Sequence, residues 1–480
     1  MEKILNFING DFHEPQSGNY FENFNPSTGK PYSLIPDSGE KDVDAAVSFA
    51  ANAFSAWAHT PAGERAKILL RIADGISKNL EMLAKAESID NGKPLKLSRT
   101  VDIPRAAANF HFYATAIEHF ASEAHSMEDR AINYTLRQPI GPVACISPWN
   151  LPLYLFSWKI APALAAGCTV VAKPSEVTPM TSFLLSKIVM DAGLPPGVLN
   201  IIHGTGKEAG SAMVKHPGLH AISFTGGTKT GADIARVAAP MFKKLSLELG
   251  GKNPNIIFAD CDFEEMMRTT LHSSFSNQGQ ICLCGSRIYI ERPLYDRFKE
   301  EFVARTRKLV VGDPFSETTH IGAVVSKEHM EKILGCIERA KSEGGTIVTG
   351  GNRIRVQGGM EEGWYVQPTI IEGLPHDCKT NQEEIFGPVV TIAPFDSEEE
   401  VLKFANSTNY GLAATLWTGN LTRAHKMAAR IEAGIVWINC WLLRDLRTPF
   451  GGIKNSGVGR EGGFEALRFF TEPRNICIKL

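Results

Sequence analysis

No charge of one sign dominates this 480-residue sequence: 50 Lys and Arg against 52 Asp and Glu leave a formal net charge of −2. A chain so balanced presents no general field for nucleic acid or an anionic membrane surface, and neither is expected as a partner. An apolar run of about 18 residues, the least a membrane-crossing helix needs, is also missing. The longest candidate, Trp158 to Ala172, is interrupted by Lys159, Pro162 and Gly167. Met1 to Leu5 offers neither an apolar core nor a small-residue cleavage site, so no secretory signal is read. The nine cysteines lack the paired C-x-x-C spacing of a zinc site. Cys282-Leu283-Cys284 is C-x-C without a histidine cluster, and no metal is expected. Scattered cysteines of this kind read as reduced thiols in a cytoplasmic protein. The full dinucleotide fingerprint G-x-G-x-x-G is absent too, because Gly204-x-Gly206 meets its next glycine at Gly210, one residue late.

What is present is a globular composition, 43% hydrophobic and 21% charged, in a chain long enough for about two to four domains. Residues 6 to 35 read as short strands punctuated by Asn9-Gly10 and Asn25-Pro26-Ser27-Thr28-Gly29. From Asp42 apolar residues recur every three or four positions through Trp57, predicting a helix, and further helices are predicted from Pro61 to Asn79 and from Leu80 to Asp90. A fourth is predicted from Val101 to Ala121, with Arg105 near its start, where a cation opposes the helix dipole. Strands are then expected at Val143–Ser147, Thr169–Ala172, Val198–Ile202, His220–Phe224 and Lys244–Leu249, with helices at Ser157–Ala166, after Gly206, and at Ala232–Ala239. That alternation is the pattern of a doubly wound parallel sheet, in which ligands bind beyond the carboxyl ends of the strands. Those ends carry Asn150, Lys173 with Glu176, Gly204 to Gly206, Gly226 to Gly231, and Glu248. A second α/β segment follows Gly251, and a terminal strand near Asn475–Lys479 needs a partner to cover its edge.

Within the second segment lies Asn277-Gln278-Gly279-Gln280-Ile281-Cys282-Leu283-Cys284-Gly285-Ser286-Arg287. A thiol between a polar glycine-bearing loop and the apolar run Ile288-Tyr289-Ile290 is a candidate nucleophile. The motifs Pro148-Trp149-Asn150, Lys173-Pro174-Ser175-Glu176, Phe224-Thr225-Gly226-Gly227-Thr228, Leu247-Glu248-Leu249-Gly250-Gly251-Lys252, Gly279-Gln280-Ile281-Cys282, Glu384-Ile385-Phe386-Gly387-Pro388 and Pro449-Phe450-Gly451-Gly452 stand in one order. On these seven motifs, over nearly its whole length, the chain resembles the NAD(P)-dependent aldehyde dehydrogenases.

The resemblance implies an α/β aldehyde dehydrogenase fold: a Rossmann-like parallel-sheet NAD domain (residues 1–120 and 140–250), an α/β catalytic domain (251–449) and a small β oligomerisation element (121–139 and 460–480). It implies a homo-oligomer, dimer or tetramer. By the same resemblance Cys282 is the nucleophile, Asn150 the oxyanion donor beside the Cys282 backbone N–H, and Glu248 the base that activates water. NAD is the implied cofactor, bound by Ile146, Ser147, Trp149, Lys173, Ser175, Glu176, Gly206, Gly226, Thr228, Leu249, Glu384 and Phe386. Glu176 is expected to favour NAD over NADP, since a carboxylate accepts both ribose hydroxyls and repels a 2′-phosphate.

Arg105 and Arg444 fall at positions that line the family's substrate tunnel, with Tyr154, Trp158 and Phe450. Guanidinium groups match a carboxylate, so an aldehyde bearing an acid group is expected. The run Cys440-Trp441-Leu442-Leu443-Arg444-Asp445 and Ile281-Cys282-Leu283-Cys284 resemble the muconic-semialdehyde branch of the family, with 2-aminomuconic semialdehyde first, 2-hydroxymuconic semialdehyde as the alternative, and retinal or betaine aldehyde further off. The competing reading pairs Arg444 with Asp445 or Glu461, and Arg105 with Asp102. A CoA-acylating relative would lack the counterpart of Glu248. A lens-crystallin-like structural role or a bare dinucleotide-binding module would leave Cys282, Glu248 and Asn150, or half the chain, without a purpose.

Overall fold

In the computed structural model, which describes residues 1–480, two large sheets carry the chain. The first has eight strands in the order Gly457–Val458, Lys244–Glu248, Ala221–Thr225, Pro142–Ile146, Thr169–Lys173, Leu199–Ile201, Asn6–Ile8, Asp11–His13. Its five central strands are parallel and the edges antiparallel. The central strands are almost entirely buried and rich in Val, Ile and Ala, as a sheet covered by helices on both faces requires. The chain enters at Pro142–Ile146, winds outwards to Leu199–Ile201, and returns to the other side at Ala221–Thr225. The strand order therefore reverses beside Pro142–Ile146, and the crevice lies at its carboxyl end, where Asn150 sits.

The helix predicted from Ser157 starts earlier, at Pro152, and runs to Ala166. Proline is tolerated there because the first turn leaves its N–H unused in any case. Gly167 ends the helix in the left-handed conformation (φ 96°). Upstream, a π-turn at Ser98–Asp102 leads directly into the helix Ile103–Glu118, placing Arg105 in its first turn.

The second sheet has seven strands in the order Thr346–Thr349, Thr369–Glu372, Val389–Phe395, Gly285–Glu291, Asn253–Ile257, Ala413–Trp417, Ile435–Ile438. The largest apolar cluster, 51 buried residues, joins helices of the first unit to Ile281, Leu283, Trp437, Trp441 and Phe450 of the second. The loop carrying Cys282 is therefore fixed from both sides.

A third sheet of three strands is formed by Thr471–Lys479, Ala131–Pro139 and Ala124–Ser126. The terminal strand is longer than its apolar residues indicate and pairs with Ala131–Pro139 along all nine residues. Its sheet-forming part starts at Thr471 rather than at residue 460, because Gly463–Phe469 is a helix packed on Pro152–Ala166. No helix is long and apolar enough to cross a membrane.

Candidate active site

Cys282 lies in the turn that links the helix Phe263–Phe275 to the strand Gly285–Glu291. Its approach is contorted: Asn277 (φ 50°), Gln278 (φ 57°) and Gly279 (φ 68°) are all left-handed. At Gly279 a Cβ would stand 2.1 Å from the Gly387 carbonyl oxygen, so both the dihedral and the space require glycine. Glutamine and asparagine side chains brace the other residues. Gln278 Nε2 donates to the Ala323 carbonyl at 2.8 Å, and Gln280 Oε1 accepts the Val325 N–H at 3.1 Å. Asn253 Nδ2 donates to the Cys282 and Cys284 carbonyls at 2.7 and 2.9 Å. Both carbonyls are held there, and the Cys282 N–H has no backbone acceptor among the loop hydrogen bonds.

Asn150, 3% exposed, donates from Nδ2 to the Gln280 carbonyl at 2.9 Å. That bond uses one of its two amide hydrogens and ties the side chain to the residue two before Cys282. The second amide hydrogen makes no hydrogen bond within the protein and is free for a ligand in the cavity that Asn150 and Cys282 both line. Burial, then the carboxylates of Glu384 and Glu248 and the neighbouring Cys284, push the Cys282 thiol far above its ordinary range, with Arg444 opposing. Cys284 is raised to about 12, burial leading, and all nine cysteines are unbridged.

Glu248 ends the strand Lys244–Glu248 and is 4% exposed, with neither carboxylate oxygen hydrogen-bonded. Its pKa is raised well above that of a free carboxyl by burial and then by Glu461, with Lys159, Arg460 and Arg444 opposing. Lys159 Nζ and Glu461 Oε1 form a buried ion pair at 2.7 Å, and Ser223 Oγ donates to the same oxygen at 2.9 Å. Space for Glu248 is made at Gly451, where a Cβ would lie 2.7 Å from Oε1. A buried carboxyl with a raised pKa and its acceptors unused is the kind of group that functional sites use for proton transfer.

A cavity of about 250 Å³ brings together Asn150, Trp149, Gly226, Cys282, Glu384 and Phe386. Glu384 Oε1 accepts the Gly251 N–H at 3.0 Å, and a Cβ on Gly250 would collide with Oε2 at 2.4 Å. Phe386 is left-handed (φ 62°), its ring edge-on to Trp149 at 5.2 Å, and its carbonyl bonded to His329 Nε2 at 2.7 Å. Burial holds His329 down at about 4, so the imidazole is neutral and donates that bond. Further out, Glu176 receives Lys173 Nζ at 3.2 Å and the Gly206 N–H at 3.0 Å. Burial raises the Glu176 carboxyl, but Lys173 and the Gly206 N–H outweigh it and hold it below the usual range. Burial lowers Lys173. The hydroxyls of Ser147 and Thr225, at the ends of two adjacent parallel strands, are buried without a partner. Unused hydroxyls, glycine N–H groups and a carboxylate–lysine pair at a sheet switch point match the needs of a dinucleotide. The remaining residues of that expected set differ in manner: Gly226 and Leu249 line the cavity, Ile146 ends its strand with its side chain in the core, Ser175 turns the loop, and Thr228 opens the helix Thr228–Ala238.

On the other side of Cys282, Arg444 Nη1 donates to the Tyr154 hydroxyl at 2.8 Å. Its guanidinium lies 4.0 Å from the Phe450 ring centre and 5.1 Å from that of Trp158. Arg105 stands 5.8 Å from the Tyr154 ring centre. The competing ion pairs do not form, because each proposed acid is already taken. Asp445 binds Arg447 at 2.6 Å, Glu461 binds Lys159, and Asp102 binds Lys93 at 2.6 Å. Two half-buried guanidinium groups thus face aromatic rings without a carboxylate, across one tyrosine from each other.

Sequence reasoning did not single out Asn253, Asn277, His329 or the Lys159–Glu461 pair. Asn253 directly follows a quoted motif, so its neighbourhood was the available signal; His329 and Glu461 act across 57 and 302 residues respectively and carry no local signal.

A model of the aldehyde dehydrogenase family matches residues 12–476. The 2-aminomuconic semialdehyde dehydrogenase of Bos taurus is 48% identical over 479 residues, covering 99% of this chain and 98% of that protein. The 2-hydroxymuconic semialdehyde dehydrogenase of Pseudomonas sp. (strain CF600) is 47% identical over 486 residues, covering 100% of both. Among solved structures, the NAD+ complex of aldehyde dehydrogenase from Bacillus cereus has a TM-score of 0.97 at 40% identity, covering 100% of this chain and 97% of that one. Fold, ordered motifs and full-length similarity agree, and the chain belongs to the aldehyde dehydrogenase family.

Proposed function

We propose that the protein oxidises an acidic semialdehyde with NAD, with 2-aminomuconate 6-semialdehyde as the substrate and 2-aminomuconate as the product, as in tryptophan breakdown through kynurenine. The observation that carries the substrate class is the Arg444 guanidinium, bound to a neutral tyrosine hydroxyl and lacking any carboxylate partner. Cys282 Sγ, once deprotonated, attacks the aldehyde carbon, and Asn150 Nδ2 with the Cys282 N–H receives the oxyanion of the thiohemiacetal. NAD, when bound, accepts the hydride. Glu248 then takes a proton from water as its oxygen adds to the Cys282 thioester; the C–S bond breaks, the acid leaves and the Cys282 thiolate is regenerated. Lys173, Glu176 and Gly206 would hold the adenosine ribose; Glu384 and Phe386 would hold the nicotinamide end. The similarity to a 2-hydroxymuconic semialdehyde dehydrogenase favours that aldehyde as the second reading. The exposed apolar residues of the three-stranded sheet, Ile132, Leu136 and Ile478, would be covered by a second copy in a homo-oligomer.

Arg444→Ala is expected to lower kcat/KM on a muconic semialdehyde by roughly 10- to 100-fold, the worth of a charge-assisted hydrogen bond to a carboxylate. On a neutral aldehyde the change should stay within about threefold, since no carboxylate is there to lose. Steady-state kinetics on both substrates decides it: equal losses would remove the acid clamp. Glu176→Gln removes the repulsion of a 2′-phosphate and is expected to raise kcat/KM for NADP relative to NAD by on the order of tenfold. An unchanged NADP/NAD ratio would place cofactor selection elsewhere.

A further inference from the structure

The side chain of Asn150 can receive an oxyanion only if its backbone is held, and that backbone is held by a buried charge cluster away from the reacting atoms. The Asn150 carbonyl accepts from Lys93 Nζ at 3.1 Å, Asn277 Nδ2 at 2.9 Å and Asn91 Nδ2 at 3.5 Å. Lys93 also meets Asp102 Oδ2 at 2.6 Å and Glu87 Oε1 at 3.6 Å, and all three side chains have no exposed surface. Glu87 Oε2 in turn receives the N–H of Leu153, in the first turn of the helix that follows Asn150, at 3.4 Å. The four groups come from the helix Leu80–Asn91, the turn beyond it, the π-turn Ser98–Asp102, and the Pro148–Pro152 connection.

Of the three donors of the lysine, two go to Asp102 Oδ2 and the Asn150 carbonyl, while Glu87 Oε1 stands by as an ion-pair partner without a hydrogen bond. Stability alone is a poor reason for such a cluster, because apolar replacements of buried ion pairs are often neutral or stabilising. The cluster also closes a circuit with the nucleophile loop. Gly92 gives its carbonyl to the Ala323 N–H at 3.1 Å; Ala323 and Val325 hold Gln278 and Gln280; and the Gln280 carbonyl receives Asn150 Nδ2. Gly92 is left-handed (φ 84°), and a Cβ there would lie 2.7 Å from the Ala323 carbonyl oxygen, so the turn carrying Lys93 is seated against that segment.

We infer that Lys93, fixed by Asp102 and Glu87, is a positioning residue that aims the Asn150 amide at the oxyanion. The inference rests on Asn150 as the oxyanion donor. Its effect falls on the transition state, where misplacing a donor by about 1 Å costs on the order of 100-fold. Because Asp102 immediately precedes the helix that carries Arg105, the same cluster ties Asn150 to the start of that helix.

The test is a double-mutant cycle of Lys93→Met with Asn150→Ala in the full-length protein, read by kcat and KM for aldehyde at saturating NAD. Lys93→Met is expected to lower kcat by roughly 10- to 100-fold with KM changed less than about threefold. In the Asn150→Ala background it should cost less than about twofold, because the group it aims is gone. A loss equally large in both backgrounds, a loss confined to KM, or an undiminished kcat overturns the inference while leaving the oxyanion reading intact. An undiminished kcat in Asn150→Ala overturns both. Removing one member of a buried ion pair can unfold a protein, so Lys93→Met/Asp102→Asn, which removes one charge of each sign, is measured alongside. The same cycle applies to it, and a folded protein of that kind with full kcat equally defeats the inference.

Discussion

Replacing Cys282 by alanine is expected to remove aldehyde-dependent NADH formation, a fall in kcat of at least about 10⁴-fold, with the fold unchanged. Cys282 is the one thiol lining that cavity, and loss of a covalent nucleophile is among the largest single effects known in catalysis. The neighbouring Cys284 supplies the control. Its side chain is 7% exposed, packed into the apolar core and raised to about 12 by burial first of all. Its backbone carbonyl, not its sulfur, is what Asn253 holds. Cys284→Ser therefore buries a hydroxyl in apolar surroundings at a cost of about 1–3 kcal/mol, seen as a lower melting temperature, while kcat stays within about threefold. Full activity in Cys282→Ala, or its loss in Cys284→Ser at unchanged stability, would exchange the two assignments. The raised Cys282 pKa adds a pH signature. A thiol held protonated attacks more slowly at low pH, so kcat/KM should climb on the alkaline side of neutrality.

Glu248→Gln is expected to leave the first turnover and stop the second. The amide keeps the size of the side chain beside Gly451 but cannot accept a proton from water. Mixing enzyme, NAD and aldehyde should then give a burst of NADH close to one per site, followed by a steady rate lower by about 10²–10⁴-fold. A proportional loss of burst rate and steady rate would mean that Glu248 acts in acylation instead. The sign of the pH effect follows from the environment. Burial and then Glu461 raise the Glu248 pKa, so the base keeps its proton to a higher pH than a free carboxyl and becomes active only above that point. In the parent enzyme the steady rate should rise with pH across that titration, and in Glu248→Gln that limb should disappear. Lys159 holds Glu461 at 2.7 Å and so limits how far the second carboxylate can push the first.

The parallel sheet was legible from its alternation of buried strands, glycine turns and helices, because strand ends at a switch point must carry the ligand-facing residues. Helix starts were less legible. Pro152 opens a helix that apolar spacing alone begins at Ser157, and the π-turn at Ser98–Asp102 has no pattern that periodicity detects. Arg105 and Arg444 show a similar division. Their presence was visible, but whether Asp102, Asp445 or Glu461 neutralised them depended on which acid reached which base. Lys93, Arg447 and Lys159 are the bases that those acids reach.

By itself the sequence determined the reaction family, since seven short motifs in fixed order carry the resemblance to the aldehyde dehydrogenases that the full-length similarity bears out. The tertiary structure alone decided which groups are free to act. Glu248 carries no side-chain hydrogen bond, Arg444 has no acid, and Asn150 is hydrogen-bonded to Gln280 and Lys93, 130 and 57 residues away in the chain. Burial and partner exclusion are properties of segments brought together across hundreds of residues, and no local spacing encodes them.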